Sequence, residues 1–347
     1  VQLIDVPNGV LVKRGTTELL VSGAGARELL VSILVAAGDP GIHLEELRRR
    51  FAPSDQDNSV DGLLDELRVR RILVDAPGAQ SEGPVTEAPL DVLAWDAGTP
   101  AATFRSALRD TSVHVVGVNT ISHRLVHALA RDGFTVCSVD YPDLRNVRLF
   151  EQDGTLKRRF WGDPAPESYE TWSASLGDRT IGCLVVCSDF GGLKLLSAWN
   201  DVAFKNGWTF LPVVLQDLIG FVGPLVVPGE TACFECFLAR RDSSAAPSLH
   251  ARAAESHAFG GQSISAYHPS MTSVLGDVAA IELTKFFGNL WPSEVVNRTI
   301  EINLLAGKME SHRVLKIPRC RTCSPLNERE PIALLKETFL TRYTFDE

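Results

Sequence analysis

Two Cys-x-x-Cys motifs limit how this chain can fold: one joins Cys233 to Cys236 and the other joins Cys320 to Cys323. Each motif places two sulfur atoms on one side of a tight turn, and two such turns supply the four thiolates of a tetrahedral Zn²⁺ site. Four thiolates leave no open coordination position, so the spacing predicts a structural zinc ion that fastens the C-terminal part of the chain to the domain before it. Two disulfides or a redox-active dithiol are the alternatives.

The cysteine count and the net charge limit the expected cellular compartment and the classes of partner. Seven cysteines are an odd number, which argues against a closed disulfide framework, and the first residues lack the pattern of a signal peptide, so we expect a reducing cytoplasm. The formal net charge of −9 gives no support to a nucleic-acid partner, and no apolar run is long enough for a membrane span. The other three cysteines lie in apolar strand patterns and read as core residues.

Residues 1–76 predict a small domain of three strands followed by three helices, the order of a winged helix-turn-helix. The strand patterns cover 2–6, 10–13 and 18–21, the helical spacings cover 26–37, 43–51 and 59–70, and a short apolar run at 72–74 predicts a closing strand. Residues 77–104 begin with several prolines and glycines and predict a linker.

Residues 105–330 predict an α/β domain with a parallel, Rossmann-like sheet. Nearly continuous apolar strands at 113–117 and 134–140 flank a helical stretch at 122–131, which is the pattern of a βαβ unit. Further strands are predicted at 182–187, 211–215 and 299–304, and a long helix at 270–287. Residues 331–347 read as a C-terminal tail.

The cysteine motifs and their neighbours resemble a known family. The segments 220–225, 228–237 and 318–323 are similar to the ThiF/MoeB superfamily, relatives of ubiquitin-activating enzymes, over about residues 105–325. His268-Pro269 and the segment 317–320 resemble the branch encoded with YcaO-type cyclodehydratases, which make azole- and thiazole-modified peptides. The resemblance implies a non-catalytic partner that delivers a ribosomal precursor peptide to an ATP-dependent YcaO enzyme, and it implies a homodimer.

The first 75 residues resemble PqqD-like domains, which hold the leader region of such precursors. This resemblance implies that a leader peptide adds as a strand to the third strand, with the third helix as the opposite wall. The residues expected to contact the leader are Glu18, Leu19, Leu20, Val21, Leu63, Leu67 and Arg70. For any single leucine a core role is the alternative. A DNA-binding role is disfavoured because acidic residues outnumber basic ones in this segment.

A nucleotide site of the superfamily would follow the first strand of the parallel sheet, in a glycine-rich turn. Here Gly117 remains, but Asn119, Thr120 and Ser122 occupy the later positions of the turn and would narrow the approach of a phosphate. Asp140 lies where such folds place a ribose-binding acid, and Asp189 lies where the family has a metal-associated acid. We therefore predict a vestigial site without ATP binding. The alternative is an active enzyme that adenylates a peptide or carrier carboxylate.

Overall fold

The computed structural model describes residues 1–38, 41–51, 59–74, 89–244, 250 and 266–328. The chain divides into two compact units. The N-terminal unit comprises Val1–Ala107 with Gly288–Trp291, and the C-terminal unit comprises Leu108–Phe287 with Pro292–Glu347. The predicted tail at 331–347 lies outside the described residues. Within the described ranges, no helix has the length and apolar character needed to cross a lipid bilayer.

The N-terminal unit begins with an antiparallel sheet of three strands, β1 (Gln2–Val6), β2 (Gly9–Arg14) and β3 (Thr17–Val21), in the order β1-β2-β3. Three helices follow, α1 (Ala26–Ala36), α2 (Leu44–Phe51) and α3 (Ser59–Val69). Fully buried aliphatic side chains from the sheet and helices form one core, which includes Val12, Leu30, Ile33, Leu64 and Leu67. The predicted three strands and three helices are confirmed.

The predicted closing strand at 72–74 is wrong. Arg71 adopts a left-handed conformation with φ of 56°, and the N–H groups of Ile72 and Leu73 donate to the carbonyl of Leu67 at 2.8 and 3.0 Å. These bonds end α3 in a tight turn, because both satisfy the Leu67 carbonyl, which the last helical turn leaves open. The N–H groups of Ile72 and Leu73, which a strand would use to pair with a neighbouring strand, instead cap the C-terminus of α3.

Residues 89–104 were predicted as part of a linker and instead contain helical structure; residues 75–88 lie outside the described residues. Helix α4 spans Pro89–Asp96 and α5 spans Ala101–Arg109. The hydroxyl of Thr16 donates to both carboxylate oxygens of Asp96 at 2.8 and 2.7 Å, and the guanidinium of Arg14 lies 4.2 Å from the ring centre of Trp95. These contacts tie α4 to the β2–β3 hairpin.

The C-terminal unit is built on an eight-stranded mixed sheet in the order β11-β10-β9-β8-β7-β4-β5-β6. Strands β4 to β8 run parallel, and β9 to β11 continue antiparallel from β8. The strands are β4 (Ser112–Val116), β5 (Thr135–Asp140), β6 (Glu167–Ser168), β7 (Cys183–Ser188), β8 (Thr209–Gln216), β9 (Ile219–Val222), β10 (Arg298–Asn303) and β11 (Lys308–Arg313). The predicted parallel βαβ unit is confirmed.

Helices cover this sheet, and two pairs of them position the candidate sites. The helices are α6 (Thr120–Asp132), α7 (Arg158–Trp161), α8 (Tyr169–Ala174), α9 (Leu193–Lys205), α10 (Phe234–Ser244) and α11 (Pro269–Phe287). Helix α6 packs closely on α11, and α10 packs on α9. Gly276 allows α11 to lie close to α6, since a Cβ atom at this position would lie 3.0 Å from the carbonyl oxygen of Ile121. The N-terminus of α6 lies at the carboxyl ends of β4, β5 and β7, where ligands bind in folds of this kind.

Candidate functional sites

The two Cys-x-x-Cys motifs come together, as predicted. Cys233 precedes α10, Cys236 lies in its first turn, and the turn that carries Cys320 and Cys323 follows β11. The Sγ atoms of Cys233 and Cys320 are 3.5 Å apart, those of Cys236 and Cys323 are 3.5 Å apart, and those of Cys233 and Cys236 are 3.8 Å apart. All four side chains are buried, and all four sulfur atoms lie within 4.8 Å of one another.

This sulfur cluster fits a tetrahedral metal ion. The separations are far longer than the ~2.05 Å of a disulfide bond. With zinc–sulfur bonds of ~2.3 Å, the edges of a tetrahedron are ~3.8 Å, close to the distances observed. The backbone N–H of Ile317 donates to Sγ of Cys236 at 3.4 Å. The hydrogen bond between the Cys233 and Cys236 sulfur atoms lowers the pKa of Cys236 and raises the pKa of Cys233. A metal ion would replace the proton of each thiol that it binds.

Polar contacts around the cluster hold the second motif against α9 and α10. The ammonium of Lys316 donates to the carbonyl of Gly229 at 2.6 Å, and the guanidinium of Arg321 pairs with Glu235 at 3.0 Å. The Thr322 hydroxyl donates to Asp201 at 2.5 Å. A metal ion at the cluster would therefore reinforce an attachment between distant segments, which is a structural role.

The turn after β4 is filled by the side chain of Asn119. Gly117 keeps the left-handed conformation expected of such a turn, with φ of 106°, and a Cβ atom there would lie 2.7 Å from the Cys187 carbonyl oxygen. Asn119 is fully buried, and its amide donates to the carbonyls of Cys187 at 2.7 Å and Leu144 at 3.2 Å. Its Oδ1 accepts from the N–H of Ser122 at 3.0 Å, so Asn119 also caps α6.

Asp189 follows β7 and receives four hydrogen bonds on one oxygen atom. Its Oδ2 accepts from the N–H of Thr120 at 3.1 Å, the Thr120 hydroxyl at 2.7 Å, the Asn146 amide at 2.8 Å and the Tyr267 hydroxyl at 2.9 Å. Burial and the nearby Asp189 charge raise the pKa of Tyr267 to about 12, so its hydroxyl remains a donor at neutral pH. Asn146 and Tyr267 were not predicted, because neither lies in a recognisable motif.

Asp140, the predicted ribose-binding acid, is paired within the protein. The guanidinium of Arg145 donates to its two carboxylate oxygens at 2.6 and 2.8 Å. Such a bidentate contact is a strong and directional ion pair. The structure therefore brings Gly117, Asp140 and Asp189 together at the carboxyl ends of β4, β5 and β7. Both carboxylates accept hydrogen bonds from other residues of the protein.

In the N-terminal unit, β3 lies at an edge of its sheet, because among the described residues it pairs with β2 alone. The Arg70 guanidinium donates to the Glu18 carbonyl at 3.0 Å, so this carbonyl points away from β2. Backbone groups alternate along an antiparallel strand, and the N–H and carbonyl of Glu18 and Leu20 therefore face the free edge. Arg70 follows directly after α3, so the C-terminal end of this helix lies beside that edge.

The predicted contact residues divide by burial. Glu18, Leu20 and Arg70 are exposed, and Leu20 keeps 53% of its surface accessible. Leu19, Val21 and Leu63 are half-buried and pack against the core of the unit. Leu67 is fully buried in that core and offers no surface to a partner. It therefore has the core role that the sequence analysis gave as the alternative for any single leucine.

Comparisons with known proteins give matches only at the level of structure. No protein-family model matches the sequence, and no curated protein matches it. A solved structure of the microcin C7 biosynthetic enzyme MccB in complex with N-formylated MccA aligns with a TM-score of 0.64 and 15% identity, over 93% of this chain and 97% of that one. E. coli MccB with ATP aligns with a TM-score of 0.60 and 16% identity over the same shares.

Two heterocyclase structures also align with this chain. One, described as a heterocyclase in complex with substrate and cofactor, gives a TM-score of 0.58 at 18% identity, and the heterocyclase TruD gives 0.60 at 18% identity. Each alignment covers 93% of this chain but only 38% and 42%, respectively, of the heterocyclase chains. The chain therefore has the fold of MccB over nearly the full length of both proteins, and it matches less than half of each heterocyclase.

Proposed function

We propose that this chain captures the leader region of a ribosomal precursor peptide and delivers it to a YcaO-type cyclodehydratase, which forms azolines or thiazoles with ATP. The observation that carries the proposal is the outer edge of β3, where the N–H and carbonyl of Leu20 and the N–H of Glu18 face outward beside the end of α3. The Glu18 carbonyl at this edge accepts from Arg70, which a guest strand would displace. An extended peptide that adds to such an edge gains main-chain hydrogen bonds, and adjacent side chains select its sequence. The N-terminal unit would then be a PqqD-like winged helix-turn-helix.

We further propose that the leader is acidic, so that its carboxylates compete with Glu66 for Arg70. Arg70 lies at the edge, and Arg68 and Arg71 flank it in the sequence. The structural relatives support a peptide partner, because MccB was solved with MccA and one heterocyclase with its substrate. This chain aligns with 38% and 42% of the two heterocyclase chains, which supports a role in which a separate protein supplies the remaining part.

ATP binding is not part of the proposed role. A phosphate needs open backbone N–H groups at a helix N-terminus. In this chain the Thr120 and Ser122 N–H groups at the start of α6 already donate to Asp189 and Asn119. The Asp140 carboxylate is likewise engaged by Arg145. A nucleotide would have to displace several buried hydrogen bonds, each costly to leave unmade.

The metal in this proposal is a structural zinc ion held by Cys233, Cys236, Cys320 and Cys323. Four buried sulfur atoms at tetrahedral spacing favour zinc among the common ions of the cytoplasm. With all four positions taken by protein, the ion would stabilise the fold without contacting substrate.

An adenylating enzyme is the second candidate. It is favoured by one observation, the alignment with MccB solved in the presence of ATP, which covers 97% of that chain. Under this reading, Asp140 and Asp189 would exchange their internal partners for ribose and metal when nucleotide binds.

Two assays on the purified full chain separate the candidates. The first measures fluorescence anisotropy of a labelled leader peptide from a short, Cys- and Ser-rich precursor encoded beside the gene. The second measures ATP–pyrophosphate exchange with the same peptide. Leader binding without exchange supports the carrier role. Exchange would instead support the adenylating enzyme, and calorimetric binding of Mg-ATP at micromolar affinity would overturn the predicted absence of ATP binding.

A further inference from the structure

Four hydrogen-bond donors converge on one point at the start of α6: the Thr120 N–H and hydroxyl, the Asn146 amide and the Tyr267 hydroxyl. Among the described residues, the anion that they bind is the protein's own Asp189 carboxylate. We propose that these donors form a binding site for a small monocarboxylate, which the chain fills with the Asp189 carboxylate as an internal ligand. When that side chain is removed, a free carboxylate such as formate should bind in its place. This proposal goes beyond leader binding and does not depend on it.

The donors are held in place by contacts other than the anion. The Thr120 N–H belongs to the first turn of α6, where unpaired N–H groups and the helix dipole favour negative charge. Asn146 is fixed at both ends: its backbone N–H donates to the Val118 carbonyl at 2.8 Å, and its Oδ1 accepts from the Arg148 N–H at 3.0 Å. The Asn146 amide also donates to the Tyr267 oxygen at 3.0 Å. A donor set of this kind should persist when Asp189 is shortened.

The two carboxylate oxygens of Asp189 receive very different numbers of hydrogen bonds. Each oxygen of a carboxylate offers about two lone pairs. Oδ2 of Asp189 receives four donors, whereas Oδ1 is buried and has no hydrogen-bond partner among the described residues. Asp189 itself is only 1% exposed. The donors thus exceed what one carboxylate oxygen accepts, and a free anion could shift to share them between two oxygens.

The charge around the site selects a small, singly charged anion. Among the described residues, no lysine or arginine lies within ion-pair distance of Asp189. The donors are one backbone amide, one side-chain amide and two hydroxyl groups, all of them neutral. Neutral donors in a buried site can offset one negative charge more readily than two. We therefore expect formate and acetate to bind, and phosphate dianion to bind less well.

The experiment uses Asp189→Ala in the full chain, with melting temperature measured in sodium formate, acetate, phosphate or chloride at equal ionic strength. The variant should melt below wild type in chloride and recover part of the loss in formate. If formate binds with a dissociation constant near 10 mM, 100 mM formate raises the folding equilibrium constant about tenfold. Wild type should show no difference between formate and chloride.

Asp189→Asn is the matched control, since its amide occupies the same space and its oxygen still accepts hydrogen bonds. It should give no formate-specific rise. If Asp189→Ala does not fold in chloride, its refolding yield from urea in formate against chloride provides the readout, and a formate-dependent yield supports the proposal. Equal behaviour of Asp189→Ala in formate and chloride, in melting and in refolding, would overturn it.

Discussion

The side-chain amide of Asn119 donates a hydrogen bond to the carbonyl oxygen of Cys187 at 2.7 Å, across the gap between the ends of β4 and β7. In a nucleotide-binding turn this position needs bare backbone, so that phosphate oxygens can approach. Here the same space is closed by a side chain that also caps α6. The residue that we predict to block the phosphate approach therefore also stabilises the fold.

Replacing Asn119 with alanine should lower the free energy of unfolding by about 3 kcal/mol. The change removes a helix cap and leaves the buried carbonyls of Cys187 and Leu144 without this donor. Urea unfolding measures the effect. Asn206→Ala is the control: this exposed asparagine at the end of α9 should cost less than ~1 kcal/mol. Equal losses for the two variants would contradict this account.

The sequence was sufficient to predict the elements whose patterns are local. Apolar spacing placed α1, α2 and α3, and apolar runs placed β4, β5, β7 and β8. The paired cysteines could be predicted to meet because two Cys-x-x-Cys motifs together supply the four thiolates of one zinc site, which was preferred over two disulfides or a redox-active dithiol. These signals need no knowledge of distant neighbours.

Contacts between distant residues were beyond the reach of pattern analysis. Helix α4 lies in a segment that reads as a linker, and it is held by Thr16 and Arg14 from the β2–β3 hairpin. Tyr267 reaches Asp189 from a position just before α11, and no periodicity marks it. The peptide-contact residues and the absence of ATP binding stay predictions.

His114 should make the protein less stable below neutral pH. Its Nδ1 accepts a hydrogen bond from the Trp172 indole at 2.8 Å, and burial, with the nearby Arg179 charge, lowers the pKa of His114 from 6.5 to about 4. Folding then favours the neutral ring, so this stability is complete above pH 6.5 and is lost as the pH falls toward 4. Between pH 7 and pH 5 the loss is about 2 kcal/mol from this group.

Urea unfolding at the two pH values checks the His114 prediction. His114→Gln should show a smaller loss between pH 7 and pH 5 than wild type, by about 2 kcal/mol. Asn206→Ala, at an exposed residue that carries no titratable group, should keep the wild-type pH dependence. A His114→Gln variant with the wild-type pH dependence would show that this ring does not titrate as argued.

Cys323→Ser should remove the metal and weaken the attachment of the segment around residues 315–323. Loss of a structural metal belongs to the changes that cost more than ~4 kcal/mol. For a unit of this size, that loss lowers the melting temperature by ~8–16 °C. Elemental analysis should find one zinc ion per wild-type chain, and hydrogen exchange should rise at Ile317, whose N–H donates to Cys236.

The control for the metal site is Cys137→Ser, at a half-buried cysteine on β5 outside the sulfur cluster. It should retain full zinc content. Wild-type protein without zinc, or a Cys323→Ser variant with unchanged metal content, would contradict a four-thiolate zinc site.

The most direct test of leader capture replaces Leu20 with proline. The Leu20 N–H faces the outer edge of β3 and has no partner among the described residues, so proline removes a donor that only a guest strand needs. Anisotropy titration of the labelled leader should show affinity lowered at least ~10-fold in Leu20→Pro, from the lost hydrogen bond and the blocked approach of the guest strand. Leu20→Ala, which keeps the N–H, should bind within ~3-fold of wild type if backbone pairing dominates. Leader affinity unchanged in a folded Leu20→Pro variant would contradict strand addition at this edge.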